Sequence, residues 1–311
     1  MSLDSLRSAA FDGELTALDW KPSVAQVPSP SWWASDSAIY SATTADGRAI
    51  LAKVVSPVAW AFRNLGPVFA AGRAAGEAGL GPRQIAADPA TGVVLYEKLD
   101  ARWRVGRLDL LADPRTRRGV LAERRAFGAL ALGLPERDHY AEILGARDEA
   151  LDANIIVDPR ILALIEEVQP YREGLETLLA ERPRVSSAGE GTVSNFMISD
   201  TRAAQLVGWG SACTLTDLGE IATLAAELTP AVISVPTLLR EYRDSEPDAR
   251  EIAAVELLAL LDDVRWAMLL VLRAEREPNP DLDVTKYALW RMTKAQLALG
   301  LYRSNHEGVL K

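Results

Sequence analysis

Near residue 100 the hydrophobic pattern of the chain changes period, and that switch confines it to folds that join a sheet to a helical body. Before the switch, "SAIYSATTADGRAILAKVV" holds two β-type runs, Ala38–Thr43 and Ala49–Val55, joined through Asp46-Gly47. Asp-Gly between such runs predicts a hairpin, because glycine accepts the positive φ that the turn needs. A helical stretch over Pro67–Ala78 ends at "GLGP", and "TGVVLYEKL" reads as a buried strand with Gly92 at its turn. After the switch, "TRRGVLAERRAFGALALG" and "PRILALIEEVQPYREGLETLLAER" place apolar residues at helical spacing with charges opposite. "AREIAAVELLALLDDVRWAMLLVLRAERE" is apolar enough to be a core helix, and "DVTKYALWRMTKAQLALGLYR" closes the chain as an amphipathic one. The expected class is α+β, with a small strand-rich N-lobe over 1–99 and a larger, mostly helical C-lobe over 100–311.

Composition sets outer limits. The 311 residues are 49% hydrophobic and 25% charged, enough apolar material for a core in each lobe. No apolar run approaches the roughly 18 residues of a membrane helix. The opening "MSLDSLRSAAFDGELTALDW" is acidic throughout and lacks a signal-peptide core, so a cytoplasmic protein away from membranes is expected. A net charge of -9 argues against a general nucleic-acid surface while leaving room for a local basic patch. The single cysteine, Cys213, excludes an internal disulfide and a cysteine-built zinc site, and it reads as an inert packing residue. The two histidines, His139 and His306, are too few for a histidine-rich metal site. Their charged surroundings, "ERDHYAE" and "RSNHEGV", predict exposed side chains.

Two segments carry the unusual chemistry. "SSAGEGTVSNFMIS" has glycines, Glu190 and Asn195 but no histidine, and "AQLVGWGSACTLTDLGEIA" is an apolar strand broken at Gly-Trp-Gly. Glu190 reads as a polar residue of a solvated loop or as a residual base. Asn195 reads as a tie for backbone groups or as a metal ligand. Asp217, with Glu220 three residues on, has the spacing of a capping box for the helix that follows. Trp209 and Trp266 fit core positions, with an aromatic surface for a cation as the alternative. Trp32 and Trp33 are expected to pack beneath the hairpin.

These segments, in this order, resemble the aminoglycoside phosphotransferase and choline kinase family, which has a protein-kinase-like fold. "ASDSAIYSATTADGRAILAKVV" looks like the family's nucleotide-covering hairpin, with Lys53 where its phosphate-binding basic residue falls. "AGLGPRQIAADPATGVVLYEKL" is similar to the fourth strand and hinge, and "DDVRWAMLLVLRAE" to a late helix of the bacterial choline-kinase-like branch. "TDLGEIATLAAEL" is similar to the Asp-Leu-Gly or Asp-Leu-Ala helix start. The resemblance implies ATP as cofactor, held by Lys53, Tyr96 and Lys98, together with magnesium.

Where this sequence departs from the pattern, the departures fall on the chemistry. The family's catalytic loop runs His-Gly/Asn-Asp-Leu, three residues, Asn. Aligned on Asn195, Ala188 stands at the histidine and Glu190 at the catalytic aspartate. In the metal segment, here "LVGWGSA", Gly208 stands at the aspartate, Gly210 at the glutamate and Ser211 at the tyrosine. The helix that should supply a partner acid for Lys53 has Pro67 and Val68 near that place, and its only acid is Glu77 close to its end. Phosphoryl transfer rests on positioned carboxylates and metal. A degenerate member is therefore expected, one that binds a small molecule in the interlobe cleft or a protein partner there or on the helical lobe. The alternative is an active phosphotransferase with Glu190 as base, Asn195 on the metal, and Asp200 or Asp217 as added ligand. If the frame survives intact, Glu190→Asp with Gly208→Asp should restore magnesium-dependent nucleotide binding.

Overall fold

The computed structural model describes residues 3–24, 36–60, 64–277 and 282–311. In chain order the first elements are α1 (Leu3–Ser8), α2 (Gly13–Thr16), β1 (Lys21–Val24), β2 (Ser37–Thr43) and β3 (Ala49–Val55). Next come α3 (Pro57–Trp60), α4 (Leu65–Glu77), β4 (Gln84–Asp88), β5 (Val93–Glu97), β6 (Trp103–Val105), α5 (Leu108–Ala112) and α6 (Pro114–Gly128). Then follow α7 (His139–Asp152), α8 (Pro159–Val168), α9 (Arg172–Ala180), β7 (Arg184–Ser187), β8 (Phe196–Ser199), β9 (Ala204–Leu206) and β10 (Cys213–Thr216). The chain ends with α10 (Asp217–Leu228), α11 (Val235–Arg243), α12 (Ala249–Arg276) and α13 (Val284–Asn305). Trp32 and Trp33 lie outside the described residues.

By its internal contacts the chain forms two units. One comprises residues 1–134 with 193–212, and the other residues 135–192 with 213–311. The first holds a five-stranded antiparallel sheet in the order β1-β2-β3-β5-β4. The hairpin between β2 and β3 turns where Asp46-Gly47 predicts it, with Gly47 at φ +84° and the Thr44 N–H donating to the Arg48 carbonyl at 2.9 Å. β3 alternates as a half-buried strand should. Ile50, Ala52 and Val54 join Val93 and Leu95 in a core closed by Leu6 and Trp20. Leu51 and Lys53 fall on the other face. The same unit contains the three-stranded sheet β6-β8-β9.

The second unit is helical apart from the antiparallel pair β7–β10. Its central element is α12, 28 residues long, packed against α13, α10 and α7. An Asp248–Glu251 capping box starts it, each side chain meeting the other's backbone N–H. The segment expected as one helix over "PRILALIEEVQPYREGLETLLAER" is two. Pro170 sits in a 3-10 turn, Gln169–Tyr171, between α8 and α9. Proline has no N–H for the helix ladder and clashes with the preceding turn, so the apolar spacing continues while the helix does not.

The whole is a mixed α+β fold, with a small antiparallel sheet in the N-lobe and a helical C-lobe. Among the described residues no helix is long and apolar enough to cross a membrane.

Candidate functional site

Asn195 ends a short 3-10 turn, Val193–Asn195, that leads into β8, and its carbonyl accepts the Val207 N–H at 2.9 Å. That bond draws the residues after β9 back across the start of β8. Gly208 is thereby pressed onto the Asn195 side chain. A Cβ added at Gly208 would lie 2.6 Å from the Asn195 Cβ and closer still to its Cγ and Oδ1. The position where the resemblance expects a metal carboxylate has no room for a side chain while Asn195 stays where it is. Beside it Trp209 is buried, as expected of a core tryptophan, with its ring 4.8 Å from that of Phe127.

The expected nucleotide residues lie on the five-stranded sheet or at its end. Lys53 is half-buried on β3, opposite Ile39 and Val94 in register. Tyr96 pairs with Leu51, two residues from Lys53, so Lys53 and Tyr96 share one sheet face. Tyr96 is itself buried: a Cβ on Gly72 of α4 would come within 2.8 Å of its hydroxyl. Burial pushes the Tyr96 phenol well above its usual range. Lys98 is exposed just beyond β5, its N–H donating to the Ala49 carbonyl at 3.0 Å. Glu77 is exposed at the last position of α4.

In the second unit the loop after β7 is fixed from several sides. Ala188 is buried, and Gly189 has φ +74°. The Gly189 N–H donates to Ser187 Oγ at 2.8 Å, and the Ser187 hydroxyl donates in turn to the fully buried Glu220 of α10. The Gly189 carbonyl accepts from Arg137 Nη1 at 2.7 Å. Gly191 lies against the α10 backbone, where an added Cβ would fall 2.7 Å from Leu224 Cα and closer to the Thr223 carbonyl. Glu190, between these anchors, is half-buried and lines a small recess with Thr192, Glu227, Asp262, Trp266 and Arg291. Three carboxylates face one guanidinium there. Trp266 belongs to this wall, half-buried, with the Arg265 guanidinium 5.0 Å from its ring.

A charge network lies behind the recess. Arg265 binds Glu142 and, at 3.1 Å, Asp262, while Arg137 reaches Glu142 at 3.3 Å. Burial alone would raise the Glu142 carboxyl, but Arg265 and Arg137 hold it down at about 2. Asp263 pairs with Arg291 at 2.5 Å and with Lys294 at 3.2 Å, and burial still raises its carboxyl.

Three expectations need correction. His139 is buried in the first turn of α7, not exposed, and burial lowers it to about 4, partly opposed by Asp262. The charges around it in sequence are a helix cap, Asp138, and members of the internal network. His306 is half-buried, with Nε2 2.9 Å from Glu256 and its ring 5.2 Å from that of Tyr302. Asp217 does not cap α10. Thr216 does, accepting the Gly219 N–H at 3.0 Å, while Asp217 binds Arg182 through both carboxylate oxygens. Glu220 is thereby released to hold Ser187. Sequence reasoning missed Ser187 and Arg137, because Glu220 and the Gly189 carbonyl, their partners, come from distant segments. Cys213 is buried on β10, opposite Ser187 in register.

Asp200 is exposed in the turn beyond β8, about 15 Å of extended strand from Asn195, and Asp217 is committed to Arg182. Among the described residues no three His, Cys, Asp or Glu side chains gather to hold a metal ion.

The fold is kinase-like and similar to that of several solved phosphotransferases. A choline/ethanolamine kinase family protein from Mesorhizobium loti superimposes with a TM-score of 0.73 at 17% identity, covering 98% of this chain and 100% of that one. Choline kinase LicA from Streptococcus pneumoniae gives 0.69 at 17% identity, covering 90% and 94%. Aminoglycoside phosphotransferase APH(4)-Ia gives 0.58 at 14% identity, covering 90% and 93%. No family model matches the chain, and no curated protein matches it in sequence.

Proposed function

We propose that this chain is a catalytically degenerate member of the choline kinase and aminoglycoside phosphotransferase group, a pseudokinase that binds a ligand or a protein partner instead of transferring phosphate. The observation that carries the reading is the packing of Asn195 against Gly208. A phosphoryl transferase needs its metal-binding carboxylate aimed at the phosphates, because metal and positioned charge supply most of the catalysis. Here an amide side chain fills the space such a carboxylate would leave from. Glu190, in place of the catalytic aspartate, carries an extra methylene, and a displacement of that size costs about a hundredfold in rate.

ATP remains the nucleotide to test, bound without help from magnesium. Lys53 lies half-buried on the sheet face opposite the core, and LicA forms a complex with AMP. The N-lobe over 1–99, the C-lobe over 100–311 and a cytoplasmic location belong to the same proposal. The test is turnover: purified protein with ATP, magnesium and a panel of amino alcohols and aminoglycosides. Phosphorylated product at rates of about 1 s⁻¹ or more, typical of kinases, would establish an active enzyme with Glu190 as base instead. The proposal expects none.

A further inference from the structure

The last helix, α13, turns an uncharged and largely apolar arc to solvent. At 100° per residue, Trp290, Thr293, Leu297, Gly300, Leu301 and Ser304 fall within about 100° of one another, and all six are exposed. Trp290, Leu297 and Leu301 are 59%, 69% and 57% exposed. Ala295, Leu299 and Tyr302, on the opposite face, are buried where α13 packs on α12 and α8. Charged side chains bordering the arc turn elsewhere: Lys294 pairs with Asp263 at 3.2 Å and Arg303 with Glu167 at 2.8 Å.

The arc is large at one end and hollow at the other. Gly300 lies inside the helix, where an added Cβ would meet nothing within 4 Å. A helix interior disfavours glycine, and no close approach among the described residues calls for one there. Ser304 follows one turn later, so the two small residues form a shallow hollow. Leu297 marks the centre, with Trp290 seven residues before it and Ser304 seven after. Laid antiparallel on a copy of itself about a twofold axis at Leu297, the arc sets each Trp290 over Gly300 and Ser304 of the other copy. The two Leu297 side chains meet at the axis. Large side chain faces hollow at both ends, which is the self-complementarity that a twofold interface requires.

We infer that α13 pairs antiparallel with α13 of a second copy of this chain. Area and charge both favour that occupant. The three large side chains present on the order of 400 Å², the size of the largest apolar patch on an ordinary monomer. Two copies paired over about 21 Å of helix bury on the order of 1,000 Å² in all, at the low end of specific interfaces and above most crystal contacts. Association in the micromolar range follows. With a net charge of -9, copies of the chain repel one another, and the arc is a face on which they meet without opposing charges. A bilayer would use the large side chains but not the hollow, and its anionic headgroups repel the same net charge.

Sedimentation equilibrium of the full chain tests this. The mass should rise toward twice that of the chain as concentration passes through the micromolar range. Leu297→Glu, which sets two carboxylates against each other at the axis, should weaken association about tenfold or more. Leu108→Glu, at an exposed leucine of α5, should leave it unchanged. Crosslinking with a short bismaleimide reads the register. Leu297→Cys should link two copies, because the two positions meet, whereas Trp290→Cys should not, its two copies standing about 21 Å apart along the axis. A monomer throughout the range overturns the inference, as does equal weakening by the Leu108 variant or crosslinking at position 290 and not at 297. Flotation of the parent, but not of Leu297→Glu, with phosphatidylserine vesicles while the free protein stays monomeric assigns the arc to a bilayer and overturns it too.

Discussion

The side chain of Asn195 occupies the space that a Cβ on Gly208 would need. The family resemblance expects a metal carboxylate at position 208, and the packing leaves no room for a side chain there while Asn195 stays in place. Gly208→Ala should destabilise the protein by about 1–3 kcal/mol, the usual cost of overpacking. Part of that cost should return in the background of Asn195→Gly, which removes the obstructing atoms. Urea unfolding of the four variants of this cycle measures the coupling, and additive effects would mean that the two residues do not interfere.

The same contact reverses the expectation for repair. Glu190→Asp with Gly208→Asp restores two carboxylates in the alignment, but the second has to displace Asn195 before it can point anywhere. The double variant should therefore gain no magnesium-dependent ATP binding. Calorimetry with and without magnesium checks this, and a clear magnesium-dependent gain would mean that Asn195 yields readily.

Gly191→Ala is expected to be among the most damaging single substitutions, costing about 3 kcal/mol or more. Here the obstacle is helix backbone, the Thr223 carbonyl and Leu224 Cα, which cannot rotate away. Thermal melting of the variant checks it. A melting temperature equal to that of the parent would mean that the loop does not rest on α10.

Removing Glu220 tests how the same loop is held. Glu220→Ala leaves the buried Ser187 hydroxyl without its acceptor and should cost about 2 kcal/mol. Hydrogen exchange should show the Gly189 amide exchanging faster in the variant. Unchanged protection would place the anchor elsewhere.

Much of the fold was legible because local chemistry determined it. Asp46-Gly47 set the hairpin, and apolar spacing set α12 and α13. The break at Pro170 was also written in the sequence, but the apolar spacing runs unbroken through it. The ends of α10 show a finer limit. Thr216 and Asp217 are adjacent residues of capping type, and Glu220 lies at capping-box distance from the second. Only Ser187, 33 residues away and buried opposite α10, shows that Glu220 is used differently. His139 failed for a related reason. Its charged neighbours suggested solvent, yet Glu142 and Arg137 form internal ion pairs whose partners come from elsewhere in the chain. The Asn195–Gly208 contact has no sequence signal at all, since a glycine records the absence of a side chain and not what occupies the space.

Acid should destabilise the protein earlier than its carboxylates alone would suggest. His139 has an ordinary value of 6.5 and is lowered to about 4 by burial. Between those values the unfolded chain takes up a proton that the folded one refuses, so stability falls as pH drops from 6.5 to about 4 and this contribution is flat below that. The loss is about 3 kcal/mol. Glu142, held down at about 2 from 4.5, adds a second loss that begins only below 4.5. His139→Asn should flatten the stability profile between pH 6.5 and 4.5 and leave the lower part intact. A slope unchanged by this variant would assign the dependence to another group.

The central claim of the proposed function is that no magnesium site exists beside Asn195 and Gly208. Thermal denaturation with ATP alone and with ATP plus magnesium, at concentrations far above micromolar, tests it directly. If that site is absent, magnesium adds little to whatever stabilisation ATP gives, and Lys53→Ala diminishes that stabilisation without altering the unliganded fold. Ligand at a hundred times its dissociation constant stabilises a protein by about 2.7 kcal/mol. A gain of that size appearing only when ATP and magnesium are present together would contradict the account.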